Sequence, residues 1–412
     1  MQETLGPSRY IKGFAMIWAS AISKEIESND ALDEAIKKLQ KGLQGKTPDA
    51  LFVFVSPHHS DAYDFILEHL NREIKAKHLI GCSGGGVIGA GKEVEDNPGL
   101  SLTAAILPGV KIQTLNISDA DLPDADSSPT AWESLLQVKA SENPHFVLLL
   151  SPFMGKSDDL LAGLDYAFPH AHKIGGIASG LRNIGERTMF LDGQRVSDGA
   201  VVMSLSGDFR LDTLVAQGCR GVGGVYTITE CEGNMLIELD GKPALKVLTE
   251  IYETASAEDR LLMNRALFVG LITDPMIPWP PQHGDYLIRN VLGTDIAKRS
   301  LAVGADLRQG QALRFHLRDS EAAAQDLKSI LQRHHDDSVG QDVAGALLFS
   351  CLGRGEAMYG LANHDSSLFM EHFGDVAMGG FFCNGEIGPV GTNTYIHGFT
   401  SSFGIFREKP AS

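Results

Sequence analysis

Two glycine-framed stretches near the C-terminal end carry the chain's most concentrated chemistry. FSCLGRG, residues 349–355, and GGFFCNGEIGP, residues 379–389, each put a thiol and a charged group among glycines directly after an apolar run. Cys351, Gly353, Arg354 and Gly355 in the first, Asn384, Gly385 and Glu386 in the second, and His397 beyond them form one candidate ligand site. Arg354 offers a planar fork for a carboxylate or phosphate, Glu386 an acceptor for an amine, and the glycines expose backbone N–H groups. This set suits a small anion or a zwitterion. The plainer reading of the same residues is an Arg354–Glu386 ion pair bracing two turns, with the glycines present only for positive φ angles.

Cys351, His397 and Glu386 also compose a nucleophile, a base and an orienting acid on paper. Single buried cysteines are mostly inert, however, and the chain contains no G-x-S-x-G elbow, Walker A loop or H-E-x-x-H motif. A non-catalytic binding protein is therefore the leading reading. The alternatives are a Cys351-dependent enzyme acting on a small carboxylated or acylated metabolite, and a scaffold whose glycine turns only pack.

The elements that must position these residues show an internal repeat. ALLFSCLGRG (346–355) leads through SSLFMEHF to VAMGGFFCNGEIG (376–388), and ALFVFVSP (50–57) leads through SDAYDFILEHLNREI to HLIGCSGGGVIGAG (78–91). HFVLLLSP (145–152), DDLLAGLDYAF and HKIGGIASG (172–180) repeat the order once more. Each reads strand, turn, helix, strand, glycine turn. Gly81, Gly86, Ile88 and Gly89 align without a gap on Gly380, Gly385, Ile387 and Gly388, while the middle copy keeps Gly176 and Gly180 and diverges at LRNIG. By this likeness Cys82, Ser83, Gly84, Gly85 and Gly86 form a second candidate site, although as phosphate loops the glycines lack a following Lys-Ser/Thr.

Strand-rich stretches at 100–117 and 187–207, with Asp192-Gly193 and Asp198-Gly199 turns, predict antiparallel hairpins or meanders. Helices are predicted at 244–255 and 320–335, with 334–342 as an exposed polar connector and the Pro-rich 274–285 as a boundary loop. The expected fold class is mixed α/β of the α+β kind: two related halves, 13–215 and 216–408, built from strand-helix-strand units with added hairpins.

Composition narrows the function classes. With 412 residues, 43% of them hydrophobic, and a net charge of -17, the chain has the core of a globular protein and repels both nucleic-acid phosphates and anionic lipid. Neither a nucleic-acid nor a membrane partner is expected. Five scattered cysteines with no CxxC pair suit a reducing, cytoplasmic setting and no metal site. GFAMIWASAIS (13–23) imitates a secretory core but is short, and reads as a buried first strand.

In the segments ALFVFVS, LIGCSGGGVIGAGKEVE, VSDGAVVMSLSG, ELDGKPAL, YLIRNVLGTD, ALLFSCLGRG, GFFCNGEIGP and HGFTSSF, in this order, the chain resembles FIST-domain proteins over nearly its whole length. The resemblance implies an N-terminal and a C-terminal FIST region, an intracellular sensory role toward a small ligand, and a protein partner for signal output. Members are joined to bacterial signalling modules or a eukaryotic F-box; the first strand near residue 14 leaves no room for an F-box, and no kinase or cyclase signature follows residue 405. Many members carry a glutamate in the N-terminal turn where this chain has Val87, so the acidic role carries over only to Glu386. Some members bind haem, which makes haem an alternative cofactor. Among 14 histidines none is singled out as its ligand, and neighbours such as His58 and His59 alternate faces on a strand.

Overall fold

The computed structural model describes residues 15–180 and 188–409. The LRNIG stretch of the middle copy lies outside the described residues.

The repeat seen in the sequence organises the whole molecule. Each copy runs strand, helix, strand, crossover helix, return strand, hairpin, strand. In the first unit these are Ile17–Ser23, Ser28–Gly42, Ala50–Val55, Tyr63–Glu73, His78–Ser83, the hairpin Gly86–Gly89 with Lys92–Glu95, and Leu100–Ile106. The middle unit is Val110–Ile117, Pro129–Leu136, His145–Leu150, Ser157–Ala167, Lys173–Ile177, Met189–Leu191 with Gln194–Val196, and Ala200–Gly207. The third is Phe209–Gln217, Ser320–Asp337, Gly345–Cys351, His364–Phe373, Met378–Cys383, Glu386–Val390 with Asn393–His397, and Thr400–Glu408. The middle copy is a full member of the set, so three units repeat where the sequence suggested two related halves, and the expected 215/216 boundary falls inside the strand Phe209–Gln217.

Each unit contributes to a six-stranded sheet whose central strands pair in parallel and whose flanking strands pair antiparallel. The hairpins are exchanged in a ring. The first unit's hairpin pairs with the third unit's return strand, the third unit's with the middle unit's, and the middle unit's with the first unit's. Val53, Leu148 and Leu348 oppose Gly81, Gly175 and Gly380 on one side, and Phe190, Ile387 and Ile88 oppose the same glycines on the other. A Cβ at these glycines would sit 2.0, 1.8 and 1.8 Å from the carbonyl oxygen of the opposing residue, so only glycine fits. The middle unit's register glycine is thus Gly175; Gly176 is its neighbour.

The continuous apolar runs follow from burial on both faces. Along Ala50–Val55, Phe52 and Phe54 point into a core shared by all three sheets, while Leu51, Val53 and Val55 meet the two helices outside. Val147, Leu149, Leu347 and Phe349 enter the same shared core, where the Phe54 and Phe381 rings stack at 5.0 Å between centroids. Leu160 and Leu164 cover the middle sheet, and Leu327, Leu331 and Phe369 the third. Asp319 caps the helix Ser320–Asp337 by accepting the Ala322 N–H.

Between the first strand and first helix of the third unit, the chain inserts a seven-stranded antiparallel sheet, residues 219–318, closed into a small barrel by pairing of Cys219–Glu232 with Met235–Leu239. The helix predicted at 244–255 lies here as Ala244–Thr254. Trp279 of the Pro-rich loop is exposed, and the loop's Gln282 and His283 line a cleft beside Ser320–Asp337. Two local expectations change. The stretch 100–117 is no hairpin: Leu100–Ile106 ends the first sheet and Val110–Ile117 begins the second. The connector at 334–342 begins as helix, and the buried Arg407 guanidinium ties it down through Gln341, Ser338 and His334. No helix among the described residues is long and apolar enough to cross a membrane.

Candidate functional site

Cys351 and Cys383 are register partners at the carboxyl ends of two parallel strands, so the turns 351–355 and 383–386 leave the sheet at one edge, the usual position of ligand sites in such sheets. The first turn of His364–Phe373, the start of Thr400–Glu408 and the first unit's hairpin close over that edge.

Arg354 is fully buried, and its fork is already filled. Its Nε and Nη2 donate to Asp365 Oδ2 and Oδ1 at 3.0 and 3.2 Å, its Nη1 donates to the Phe399 carbonyl at 3.4 Å, and its face lies over the Tyr359 ring. Asp365 also accepts from Ser350 and Ser401, and His364 Nδ1 lies 2.8 Å from its Oδ1. Burial opposes charge on Asp365, yet Arg354 holds the carboxyl well below the usual carboxylate range. The bidentate carboxylate expected from a ligand, or from Glu386, is therefore supplied by Asp365, whose place in the crossover helix's first turn aims it at the sheet edge.

Glu386 is buried beside this pair. Its Oε2 accepts the Thr400 N–H at 3.1 Å and the Thr400 hydroxyl at 2.9 Å, and its Oε1 has no hydrogen-bond partner among the described residues. Burial pushes its pKa up to about 8. The adjoining Cys351 thiol is pushed up to about 12, first by burial and then by Glu386. A nucleophilic cysteine needs the opposite environment. His397 does not complete a triad: its Nε2 bonds the Gly388 carbonyl at 3.0 Å, and burial draws its pKa to about 4. Asn384 turns its side chain to solvent while its N–H donates to the Ile177 carbonyl, and Gly385 lies against Ile177 and Ile396.

The exchanged hairpin delivers two further acids. Glu93 Oε1 accepts the Ser366 N–H at 2.7 Å, and Glu95, packed against Gly355, accepts the Glu356 N–H at 3.0 Å. Burial, followed by the charge of Asp365, raises Glu93 to about 7.

The second candidate site is closed. The Ser83, Gly84 and Gly85 N–H groups donate to the Thr188 carbonyl, the Val55 carbonyl and Ser179 Oγ at 2.9, 3.0 and 2.9 Å. Ser179 Oγ in turn donates to the Phe382 carbonyl, the Cys82 thiol is buried, and Gly86 pairs with Glu95. Three turns meet there, and the donors that would cradle an anion are committed to the chain. The buried His59, His316 and His397 each place one ring nitrogen on an oxygen, of the Ser28 hydroxyl, the Arg314 carbonyl and the Gly388 carbonyl respectively, and among the described residues no cluster of three or more His, Cys, Asp or Glu residues is arranged to hold a metal ion.

An open cleft of about 530 Å³ lies beside the third unit's edge, lined by Gly353 and Met358 from that edge, by Leu262, Arg318 and Ser320, and by the acids Glu258, Asp319 and Glu321. Arg318 stacks on the Phe399 ring with its guanidinium carbon 4.6 Å from the centroid and makes no ion pair among the described residues. A Cβ at Gly353 would come 2.9 Å from Phe399 and 3.3 Å from Arg318 Nη1, so this glycine makes room for the stacked pair. Sequence reading overlooked Arg318, Asp365, Glu93, Glu95 and Thr400. Asp365 carried a local signal as an acid at a helix entry; the hairpin acids depend on a pairing between distant segments.

Comparison with known proteins places this architecture. A FIST N domain matches residues 49–242 and a FIST C domain matches residues 244–389. The chain belongs to the FIST family. An uncharacterized protein of Mycobacterium bovis is 31% identical over 383 residues, covering 92% of this chain and 96% of that protein. An uncharacterized protein of Mycobacterium tuberculosis is 31% identical over 379 residues, covering 91% and 96%. An F-box/LRR-repeat protein of Arabidopsis thaliana is 25% identical over 334 residues, covering 71% and 62%. The edge site draws on both FIST regions: Glu93 and Glu95 come from the FIST N match, and Arg318, Cys351, Arg354, Asp365 and Glu386 from the FIST C match.

Proposed function

We propose that this FIST protein is a non-catalytic cytoplasmic sensor that binds a small anionic or zwitterionic metabolite at the cleft beside the third unit's edge and passes the occupied state to a protein partner. Arg318 is the observation that carries this reading. A half-buried guanidinium stacked on an aromatic ring, in no ion pair among the described residues, can take an oxyanion, and the acids Glu258, Asp319 and Glu321 on the same lining favour a ligand that also carries a cationic group. Arg354 serves a different end, since its pairing with Asp365 fixes the turn that forms one wall. The cleft spans the join between barrel and third unit, so a ligand touching both sides would bias their packing, a means of signal output without chemistry. That a related region occurs in an F-box/LRR-repeat protein supports a protein as the reader.

Native mass spectrometry of protein purified from its own host, as wild type and as Arg318→Gln, tests the proposal. A bound small mass should be present in the first and absent from the second, with the melting temperature of the unliganded protein changed little. An equal bound mass in both, or none in either, would overturn it. The Cys351 enzyme is the weaker reading because burial and Glu386 both oppose thiolate formation.

A further inference from the structure

The YLIRNVLGTD stretch has no part in the edge site, yet its Arg289 stands at the floor of a separate cleft of about 660 Å³ on the other flank of the barrel. The middle unit's crossover helix provides Asp158, Ala162 and Tyr166 to its walls, the barrel provides Leu287 and Arg308, and the third unit's hairpin provides Tyr395. Arg289 Nη1 donates to the Ile288 and Ile396 carbonyls, each at 3.0 Å. Its Nε and Nη2 have no hydrogen bond among the described residues, and no carboxylate lies within ion-pair distance. Asp165, in the same cleft, is already neutralised by Lys173 at 2.7 Å and bonded by the Thr394 N–H and hydroxyl. The floor therefore presents a guanidinium in no ion pair among the described residues, fixed in direction by two carbonyls, with Arg308 and the exposed Asp158 also on the lining beside apolar and aromatic side chains. Taking an oxyanion on the open Nε/Nη2 edge would supply the bidentate partner that the chain gives to Arg354 and withholds here.

We propose that this cleft is a second ligand site, distinct from the edge site, for a small organic carboxylate whose carboxylate group meets Arg289 and whose flat or apolar body lies against Leu287, Tyr166 and Tyr395. Asp158 and Asp306 at the rim disfavour a polyanion and suit a ligand with a single charge.

Fluorine NMR of 4-fluorobenzoate titrated with the full-length protein tests this assignment, with neutral 4-fluorobenzamide as the control. Benzoate should broaden and shift in the presence of wild type and of Arg318→Gln, and benzamide should not. Arg289→Gln should weaken benzoate at least fivefold. Ala162→Trp, at an exposed helix position facing the cleft, should do the same without touching Arg289, and so decides the matter if Arg289→Gln does not fold. No benzoate binding, equal binding of benzamide, unchanged affinity in Ala162→Trp, or loss in Arg318→Gln instead would overturn the proposal.

Discussion

The second residue of the crossover helix is an aspartate in all three units, Asp64, Asp158 and Asp365, and the three have different fates. Asp64 is 73% exposed and meets Arg195 of the exchanged hairpin at 3.3 Å, while Asp365 is 2% exposed and holds the buried Arg354 with both oxygens. Asp158 is exposed beside Arg289 without bonding it. One repeated position has thus become a solvated surface pair, a rim acid and the centre of a buried polar network. The glycine turns diverge in parallel, closed onto backbone partners in the first unit and set beside a buried glutamate in the third. Equivalence of backbone does not carry equivalence of chemistry; what differs is which neighbour covers the edge.

The sharpest test of this contrast is Asp365→Ala, which strands the buried Arg354 and should cost about 3–5 kcal/mol by urea denaturation. A loss below about 1 kcal/mol would show that the pair is not sealed from water. Arg354→Lys should likewise act on stability, since an ammonium cannot fill a bidentate geometry. Next come Gly81→Ala, Gly175→Ala and Gly380→Ala, each forcing a Cβ onto a carbonyl oxygen; about 1–3 kcal/mol is expected, similar in all three. One tolerant position among them would break the threefold equivalence.

A smaller effect should appear in the pH dependence. Glu93 and Glu386 titrate near about 7 and about 8 in the folded chain, above their ordinary 4.5. The folded protein therefore holds more protons than the unfolded chain between those values. This contribution to stability is complete below about pH 4.5 and is lost as the pH rises through about 7 to 8. Glu386→Gln should flatten the fall in melting temperature between pH 6 and pH 8.5 relative to wild type; an unaltered slope would mean that Glu386 is already ionised. Least affected should be Asp64→Ala, an exposed pair, at under about 0.5 kcal/mol in the same urea assay.

Much of this frame was legible in the sequence because it is local. The runs ALFVFV, HFVLLL and ALLFSC announce strands buried on both faces, and the gap-free match of Gly81 with Gly380 marks a real structural equivalence. The amphipathic helices at 244–254 and 320–337 follow from their apolar spacing. Arg354 and Glu386 do lie together at one sheet edge, as their turns suggested. Their roles were not legible, because Arg354 is satisfied by Asp365 across a loop and Glu93 arrives from a hairpin more than 250 residues away in sequence. Arg318 and Arg289 escaped for a related reason: what marks them is a place on a cleft with no ion pair among the described residues, and neither property leaves a trace in a linear pattern.

The ring of exchanged hairpins bears on how the molecule is made. As the chain emerges from the ribosome, strand Gly86–Gly89 is among the earlier strands to appear, yet its partner Met378–Cys383 is among the last. Until then the first unit's hairpin is an unsatisfied strand edge, able to pair with another nascent chain as readily as with its own. Loop closure over so long a separation makes a slow final step, in which the ring locks only when the last unit docks. A truncated product ending in the barrel would leave that edge open, and its characteristic failure would be assembly between chains, the late strands of one molecule completing the early hairpin of another.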